Sequence, residues 1–465
     1  FRSRVGGHAF ASLLGVMEGV LERVNKGYLQ LAADVQAERR LPAHERQGTL
    51  SQVQAGVEAL SRRFRFGAEP ADRRGDESQL ARIRAPLFIF ILAEELTRPF
   101  LPGYIKELLV PVPGVSAQFV VGLPIALFML IVALAQPWLG VYCGRHGTRR
   151  TMLTGAAIAA AGFFASAFAN SVLDLLLWRS LCAFGYAMVF VAGQAYVLEH
   201  ASPSKRAKSF SLFVGAIMVA SICGPSIGGI LADNIGERST LIVAAVLALG
   251  SLAAIRQLPG PTQAVVASAK VPRLKEILAL LGNARFMGVT GLAAMPAKIL
   301  LTGVCFYLVP LYIVSIEGTQ AMAGRILMTY AVLMVVAAPI TAGMASTRER
   351  MEWLVGGGLV ISGLGGLMLL AGGDAGWVFA AVALIGLGQS LSISAQSALV
   401  SEHCESEIRL LGEGTVYGVY RLLERLGNAA GPMLAAALAM AWGYRSGFVA
   451  LGGFVLVCGL LFVAV

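Results

Sequence analysis

Residues 86–104 read PLFIFILAEELTRPFLPGY, an apolar run interrupted near its middle by Glu94, Glu95 and Arg98 and punctuated by Pro99 and Pro102. A helix rises about 1.5 Å per residue, so roughly 20 apolar residues cross a hydrocarbon layer of about 30 Å. The run has that length, and Arg84 and Lys106 bracket it. A charge at the centre of such a helix costs about 2.5–3.5 kcal/mol on insertion scales, so ionisable groups found there face a polar interior and serve a function. The stretch predicts a membrane helix with one wet face.

The remainder of the chain agrees. Of its 465 residues 57% are hydrophobic and only 14% charged, with a mean hydropathy of +0.72. Soluble domains carry about a quarter charged residues. Candidate spans lie near 85–109, 117–142, 151–169, 171–198, 209–231, 238–257, 286–313, 319–344, 353–371, 376–401, 415–441 and 446–465. Period-2 alternation is absent, which argues against a membrane β-barrel. The expected fold class is an all-α membrane protein with twelve transmembrane helices.

The net charge of +10 does not point to nucleic acid, because of where it sits. Basic residues gather in alternate loops: Arg145, Arg149 and Arg150, then Lys205, Arg206 and Lys208, then Lys270, Arg273, Lys275 and Arg285, then Arg348 and Arg350. The other loops hold mainly Lys106, Arg238 and Arg445. This asymmetry places the N-terminal side and the basic loops in the cytoplasm. The six cysteines and five histidines are scattered, so neither a disulfide framework nor a metal ligand set is expected.

Residues 1–81 are too polar to span a bilayer. Phe10, Leu14, Met17, Leu21, Val24, Tyr28, Leu31 and Val35 alternate by four and three, and Leu50, Val53, Val57, Leu60 and Phe64 resume the rhythm. They predict a cytoplasmic pair of amphipathic helices, suited to self-association or to an upstream sensor domain through residues 10–64. The stretch DESQLA (76–81) resembles the second helix of HAMP linkers. A chain that opens on Phe1 and closes on Val465 without a polar tail is expected to be a piece of a longer one.

An internal repeat organises the spans. Pro102 and Tyr104 align with Pro310 and Tyr312 at an offset of 208. Pro225, Gly236 and Arg238 align with Pro432, Gly443 and Arg445 at 207, and Pro137 and Gln194 with Pro339 and Gln396 at 202. The order is parallel, so the expected domains are a helical region at 1–81, a six-helix bundle at 82–257, a cytoplasmic linker at 258–285 and a second bundle at 286–465. Two such halves, related by an axis along the membrane normal, are the layout of carriers that rock about a central site.

On these residues the chain resembles the major facilitator superfamily, in its drug:proton antiporter branch. GVYCGRHGTRR (140–150) is similar to the family's loop between the second and third spans: Gly140, Arg145, Gly147, Arg149 and Arg150 match, while Gly144 stands where the family has an acid. Arg179 and Gly185 in WRSLCAFGYA match the family's element in the fourth span. GPSIGG, with Gly224, Pro225, Gly228 and Gly229, resembles the core of the antiporter motif. The resemblance implies conformational gating by the loop and the GPSIGG motif. It also implies a cavity lined by the first, fourth, seventh and tenth spans, which makes Arg179, Gln194, Lys298, Gln389 and Gln396 cavity candidates.

Within the first span, Glu94 and Arg98 are four residues apart and Glu95 and Arg98 three, so either acid can reach the arginine. One arginine cannot neutralise both. Low dielectric and a like charge alongside favour the neutral form of the surplus carboxyl, so Glu94, Glu95 and Arg98 are the proton-coupling candidates. Pro99 supplies no N–H, which frees the Glu95 carbonyl and bends the helix. Lys298 maps by the 208 offset to about one turn from Glu94, which makes a Lys298–Glu94 pair across the halves conceivable. Arg421, Glu424 and Arg425 read as a shallow cluster at the cytoplasmic end of the eleventh span.

The expected function is secondary transport by alternating access, with small amphipathic organic molecules, cations among them, exported in exchange for protons across a bacterial inner membrane. Its partners are the small-molecule load, protons and the lipid bilayer, with no nucleic acid. No GxxxxGK[ST] loop, nucleophile–base pair or cofactor motif is present, so no enzyme and no cofactor are expected. The alternative is a membrane sensor whose bundle signals through the N-terminal helices.

Overall fold

The structure is a computed structural model that describes residues 82–110, 116–200, 206–258, 278, 280–344, 347–411 and 413–464. The expected amphipathic helices of 1–81, the HAMP-like stretch and most of the linker 258–285 lie outside those residues. All regular structure among the described residues is helical. The broken first span supplies α1 (Arg84–Glu95) and α2 (Leu101–Glu107). The first half continues through α3 (Ala117–His146), α4 (Thr148–Ala167), α5 (Val172–His200), α6 (Arg206–Ile235) and α7 (Glu237–Arg256). The second comprises α8 (Ala284–Ser315), α9 (Gln320–Met344), α10 (Arg348–Leu367), α11 (Ala375–His403), the short α12 (Glu405–Leu411) and α13 (Glu413–Ala464). Gly443, at φ 82°, divides α13 into two helices.

Nine helical segments among the described residues are long and apolar enough to cross a membrane, by length and composition alone. Side-chain caps start several of them: Ser116 Oγ accepts the Phe119 N–H at 3.2 Å, Asn283 Oδ1 that of Phe286 at 3.0 Å, and Asp374 Oδ1 that of Trp377 at 3.1 Å. The outer surface exposes Trp138, Leu173, Val246, Trp353 and Trp442. A water-soluble surface would be penalised by so much apolar area, and a lipid-facing one is not. Inside, small residues let helices touch by their backbones. Gly155 of α4 packs on the Gly185 carbonyl of α5, and Gly358 of α10 on the Gly388 carbonyl of α11.

Those two contacts sit at an offset of 203, and other pairs repeat in the same way. Tyr104 donates to the Ser166 carbonyl at 3.1 Å, and Tyr312 to that of Gly373 at 2.7 Å. Arg238 donates to the Ala169 carbonyl at 3.1 Å, and Arg445 to that of Leu369 at 2.7 Å. The repeat in the sequence is thus a repeat of contacts, in which equivalent residues tie equivalent helix ends.

The halves meet through two crossings that the sequence repeat did not reveal. A Cβ on Gly122 of α3 would stand 3.1 Å from the Pro432 carbonyl of α13, and Gly324 of α9 lies against the Pro225 carbonyl of α6. Gly122 and Gly324 are 202 apart, the offset already seen for Pro137 and Pro339. The end of the bundle opposite the basic loops is closed further by Asp233 of α6, whose carboxylate accepts the first N–H groups of α9: Gln320 at 3.1 Å and Ala321 at 2.7 Å. Gln320 donates to Glu237 at 2.6 Å, and Tyr307 to the Gln118 carbonyl at 2.7 Å. At the basic-loop end, Thr148 bonds Glu199 at 3.0 Å, Arg149 the Arg256 carbonyl at 2.5 Å and His403 Glu352 at 3.1 Å, each within one half.

Overpacking a close backbone contact costs about 1–3 kcal/mol. Gly324→Val is therefore expected to lower the thermal unfolding midpoint of the detergent-solubilised protein. Gly357→Val, where nothing lies within 4 Å, is expected to leave it unchanged. Equal midpoints for the two variants would show that the halves do not meet at Gly324.

Candidate functional site

The first span breaks where its sequence said it would, at Pro99. α1 ends at Glu95 and α2 starts at Leu101. The Glu95 carbonyl that Pro99 leaves without its helical donor is not unpaired, however: the Arg98 N–H reaches it at 3.3 Å in a tighter turn. Thr97 Oγ1 reinforces the break by donating to the Glu94 carbonyl at 2.8 Å. Against this turn packs the GPSIGG segment of α6. Gly224 abuts Glu95, Gly228 the Leu96 carbonyl, and Gly229 the Gln320 backbone of the other half. These glycines seat the acidic turn directly on its neighbour.

Both acids are buried, Glu94 at 6% and Glu95 at 2% exposure, and each has its own arginine. Glu94 Oε1 accepts from Arg179 Nη2 of α5 at 2.5 Å. Glu95 Oε1 accepts from Arg98 Nη2 at 2.7 Å and from Ser221 Oγ of α6 at 3.1 Å. The expectation of an acid without a partner is therefore corrected. The second arginine comes from a span 85 residues away, which spacing within the first span cannot show. The Arg98 guanidinium carbon also stands 3.9 Å from the centre of the Phe306 ring of α8, so this ion pair bridges the halves.

The second half answers with its own ionic group. Lys298 lies between two stretches of wider helix turn in α8, Gly288–Ala294 and Leu301–Leu308. Its Nζ is 3.6 Å from Glu424 Oε1 of α13, and Arg421 Nη1 is 2.6 Å from Glu424 Oε2. The conceivable Lys298–Glu94 pair gives way to Lys298–Glu424. Nor is the α13 cluster shallow: Glu424 is 3% exposed, eleven residues into its helix and therefore about 16 Å from its start.

These groups surround a cavity of about 650 Å³ between the halves. Glu94, Glu95, Arg98, Arg179, Gln194 and Lys298 line it, together with Arg421, Arg425 and an apolar wall that includes Phe128, Tyr186, Phe190, Phe306 and Tyr330. Gln389 and Gln396 do not. Gln389 donates to the Ala297 carbonyl at 2.6 Å and accepts from Tyr330 at 3.1 Å; Gln396 donates to Ser392 at 2.7 Å and accepts from Tyr420 at 3.3 Å. Both are fully buried ties between groups of the second half. Ser221 and Phe306 were missed as site residues, and Arg421, Glu424 and Arg425 were read as a helix-end cluster and not as part of the cavity. The spacing of Arg421, Glu424 and Arg425 at i, i+3 and i+4 marked one polar helix face and was the available signal.

The loop residues take ordinary structural positions. Gly147, at φ 85°, joins α3 to α4 in a conformation few other residues adopt. Arg145 and Arg150 are exposed, Gly140 lies within α3, and Arg149 closes on α7 as described. A side chain at Gly144 would meet nothing within 4 Å.

A bundle with repeated contacts, a mid-bundle cavity and ionised groups on its wall defines a membrane carrier. The family model of the Major Facilitator Superfamily matches residues 87–412, and the chain belongs to that family. It is similar to the multidrug resistance protein MdtG of Salmonella arizonae, 26% identical over 383 residues that cover 79% of this chain and 90% of that one. It is also similar to a multi-drug resistance efflux pump PmrA homolog of Lactococcus lactis subsp. lactis, 31% identical over 161 residues, 34% of this chain and 39% of that protein's length. Among solved structures, a bacterial homologue of the human lysosomal transporter Spinster, in an inward-facing and occupied conformation, shares the fold. Its TM-score is 0.68 at 14% identity, over 84% of this chain and 97% of that one. The protein is an integral membrane secondary transporter, and neither fold nor relatives support the sensor alternative.

Removing one partner of a buried pair typically costs about 3–5 kcal/mol. Glu94→Gln, which strands Arg179 at 2% exposure, is expected to destabilise the protein more than Glu95→Gln, since Arg98 is 22% exposed and keeps Phe306. Thermal unfolding in detergent measures the difference, and Glu94→Gln combined with Arg179→Met is expected to recover much of it. Equal losses for the two single variants would sink the pairing.

Proposed function

We propose that this chain exports small amphipathic organic molecules by alternating access, in exchange for protons, across a bacterial inner membrane with the basic loops in the cytoplasm. The observation that carries this reading is the pair of buried carboxylates, Glu94 and Glu95, on the wall of a cavity between two halves. The names of the relatives, a multidrug resistance protein and a multi-drug resistance efflux pump homolog, support export and a broad substrate range. The closed end, sealed by Asp233 and Gln320, is then the outer one, and the cavity serves the cytoplasm.

The coupling site in this reading is the chain of contacts from Ser221 through Glu95 and Arg98 to Phe306. A proton on Glu95 removes the charge that holds Arg98 and so loosens a contact between the halves. A load in the cavity does the same by other means. Exchange results when the halves rock with a load or with a proton, and stay put with neither. Gly224, Pro225 and Gly228 carry the motion, because α6 bears on the acidic turn on one side and on α9 on the other. The twelve membrane crossings of the sequence reading belong to this proposal.

The test is substrate-driven proton movement in proteoliposomes, followed with a pH-sensitive dye inside. Glu95→Gln is expected to bind an amphipathic probe as the wild type does but to lose the proton flux that accompanies it. Wild-type proton coupling in both Glu94→Gln and Glu95→Gln would overturn the reading.

A further inference from the structure

We propose that the load is an amphipathic organic anion, its charge held by Arg425 and its apolar body laid along Phe190, Tyr186 and Phe128 towards the unpartnered N–H groups of Arg179. This rests on the exporter reading and names the substrate class of the same cavity. It departs from the cation that the acids of the first span suggest when read alone.

The charge balance of the wall is the first observation. Five bases line the cavity, Arg98, Arg179, Lys298, Arg421 and Arg425. The acids that face them are three: Glu94 and Glu95 on the wall, and Glu424 behind Lys298 and Arg421. Glu94 is taken by Arg179, Glu95 by Arg98, and Glu424 by two bases at once. With every group ionised, the wall keeps a surplus of positive charge. Arg425 has no carboxylate within 4 Å among the described residues and stands 5.3 Å above the Phe190 ring.

The second observation is an unsatisfied donor set. Arg179 is 2% exposed and gives only Nη2 to Glu94, while its Nε and Nη1 have no hydrogen-bond partner among the described residues. Buried guanidinium N–H groups rarely stay empty, and their planar fork matches carboxylates and sulfonates. An anion on Arg425 leaves the Glu94–Arg179 pair in place, so the proton site and the load site act on each other through the rocking of the halves and not through competition. A cation would meet only the second oxygens of Glu94 and Glu95, which have no hydrogen-bond partner but belong to carboxylates whose charge an arginine already balances.

The third is the surface between the two guanidinium groups. The Arg179 carbon lies 5.0 Å from the Phe128 ring, Phe128 lies 5.7 Å from Tyr186, and Tyr186 stacks on Phe190 at 6.0 Å and 15°, where Arg425 begins. Three residues of the first half thus form an aromatic strip, with an arginine at each end, the near one from the first half and the far one from the second. A guanidinium lying on a ring keeps its in-plane donors available. The strip suits a molecule with an apolar body and a terminal anionic group. Exchange of such an anion for a proton moves charge in the same sense on both strokes, so transport is electrogenic.

The test uses two probes with one fluorescent body, dansylglycine as the anion and a dansyl quaternary ammonium as the cation, with the full chain in detergent and in proteoliposomes. The wild type is expected to bind and move the anion, with an affinity at least about tenfold above the cation's, the scale of one charge-assisted hydrogen bond. Arg425→Gln is expected to lose about tenfold in anion affinity at an unchanged unfolding midpoint, and Arg425→Lys to retain most of it. A potassium–valinomycin potential, negative on the side of the load, is expected to speed anion efflux. Preference for the cation, or unchanged anion affinity in Arg425→Gln, overturns the proposal while leaving the exporter reading in place. A wild type that neither binds nor moves either probe overturns both.

Discussion

The structure depends on how closely two helices of opposite halves can approach. At Gly122 and Gly324 a bare Cα faces the carbonyl of a helix proline, Pro432 in one crossing and Pro225 in the other. A proline inside a helix leaves the carbonyl four residues earlier without its donor and lets the helix bend. A glycine opposite provides the room for the bent backbone. Because lipid tails offer no hydrophobic drive for helices to associate, such backbone proximity and the dispersion it brings are what hold the halves together. It is also a contact that can be rolled over, since no side chain larger than the Ala436 methyl stands among the nearest atoms at either crossing.

Around that contact the chain places its expensive residues. Ionised groups within a bilayer are tolerated when they are paired, and here each acid of the cavity wall has a named base. The pairs differ in kind. Glu94–Arg179 is enclosed within the first half, whereas Glu95–Arg98 touches Ser221 on one side and Phe306 of the second half on the other. A change of charge at Glu94 would disturb one bundle, and a change at Glu95 the boundary between two. That distinction separates a structural ion pair from one able to report on the relative position of the halves, although both lie one residue apart on the same turn.

Much of the fold was legible because hydropathy and spacing act along the chain. The helices fall on the ranges read from apolar runs, Pro99 breaks the first span, and Gly236 and Gly443 both turn at positive φ. The site was legible in part. Depth along a helix follows from counting, and Glu94, Glu95, Arg179, Gln194 and Lys298 do reach the cavity. Direction around the helix axis does not follow from counting. Gln389 and Gln396 have the right depth but turn into the second half, to the Ala297 carbonyl and Ser392. Lys298 turns towards Glu424 and not across to Glu94. The wider turns that flank it, in Gly288–Ala294 and Leu301–Leu308, shift the register on which the 208 offset relied.

The two ends of the bundle are not equivalent, and the difference bears on which state the carrier rests in. At the closed end Asp233 accepts two N–H groups from the first turn of α9, a helix of the other half. A carboxylate at that position is stabilising both as a cap and against the helix dipole, by about 0.5–2 kcal/mol. At the end with the basic loops the ties of Thr148, Arg149 and His403 each stay within one half. A contact made in one conformation and absent from the other shifts the balance by its own free energy and no more. Ties that join the halves at the far end, against ties kept within each half at the near one, therefore weight the balance towards the closed far end, the arrangement in which the cavity wall described here is assembled.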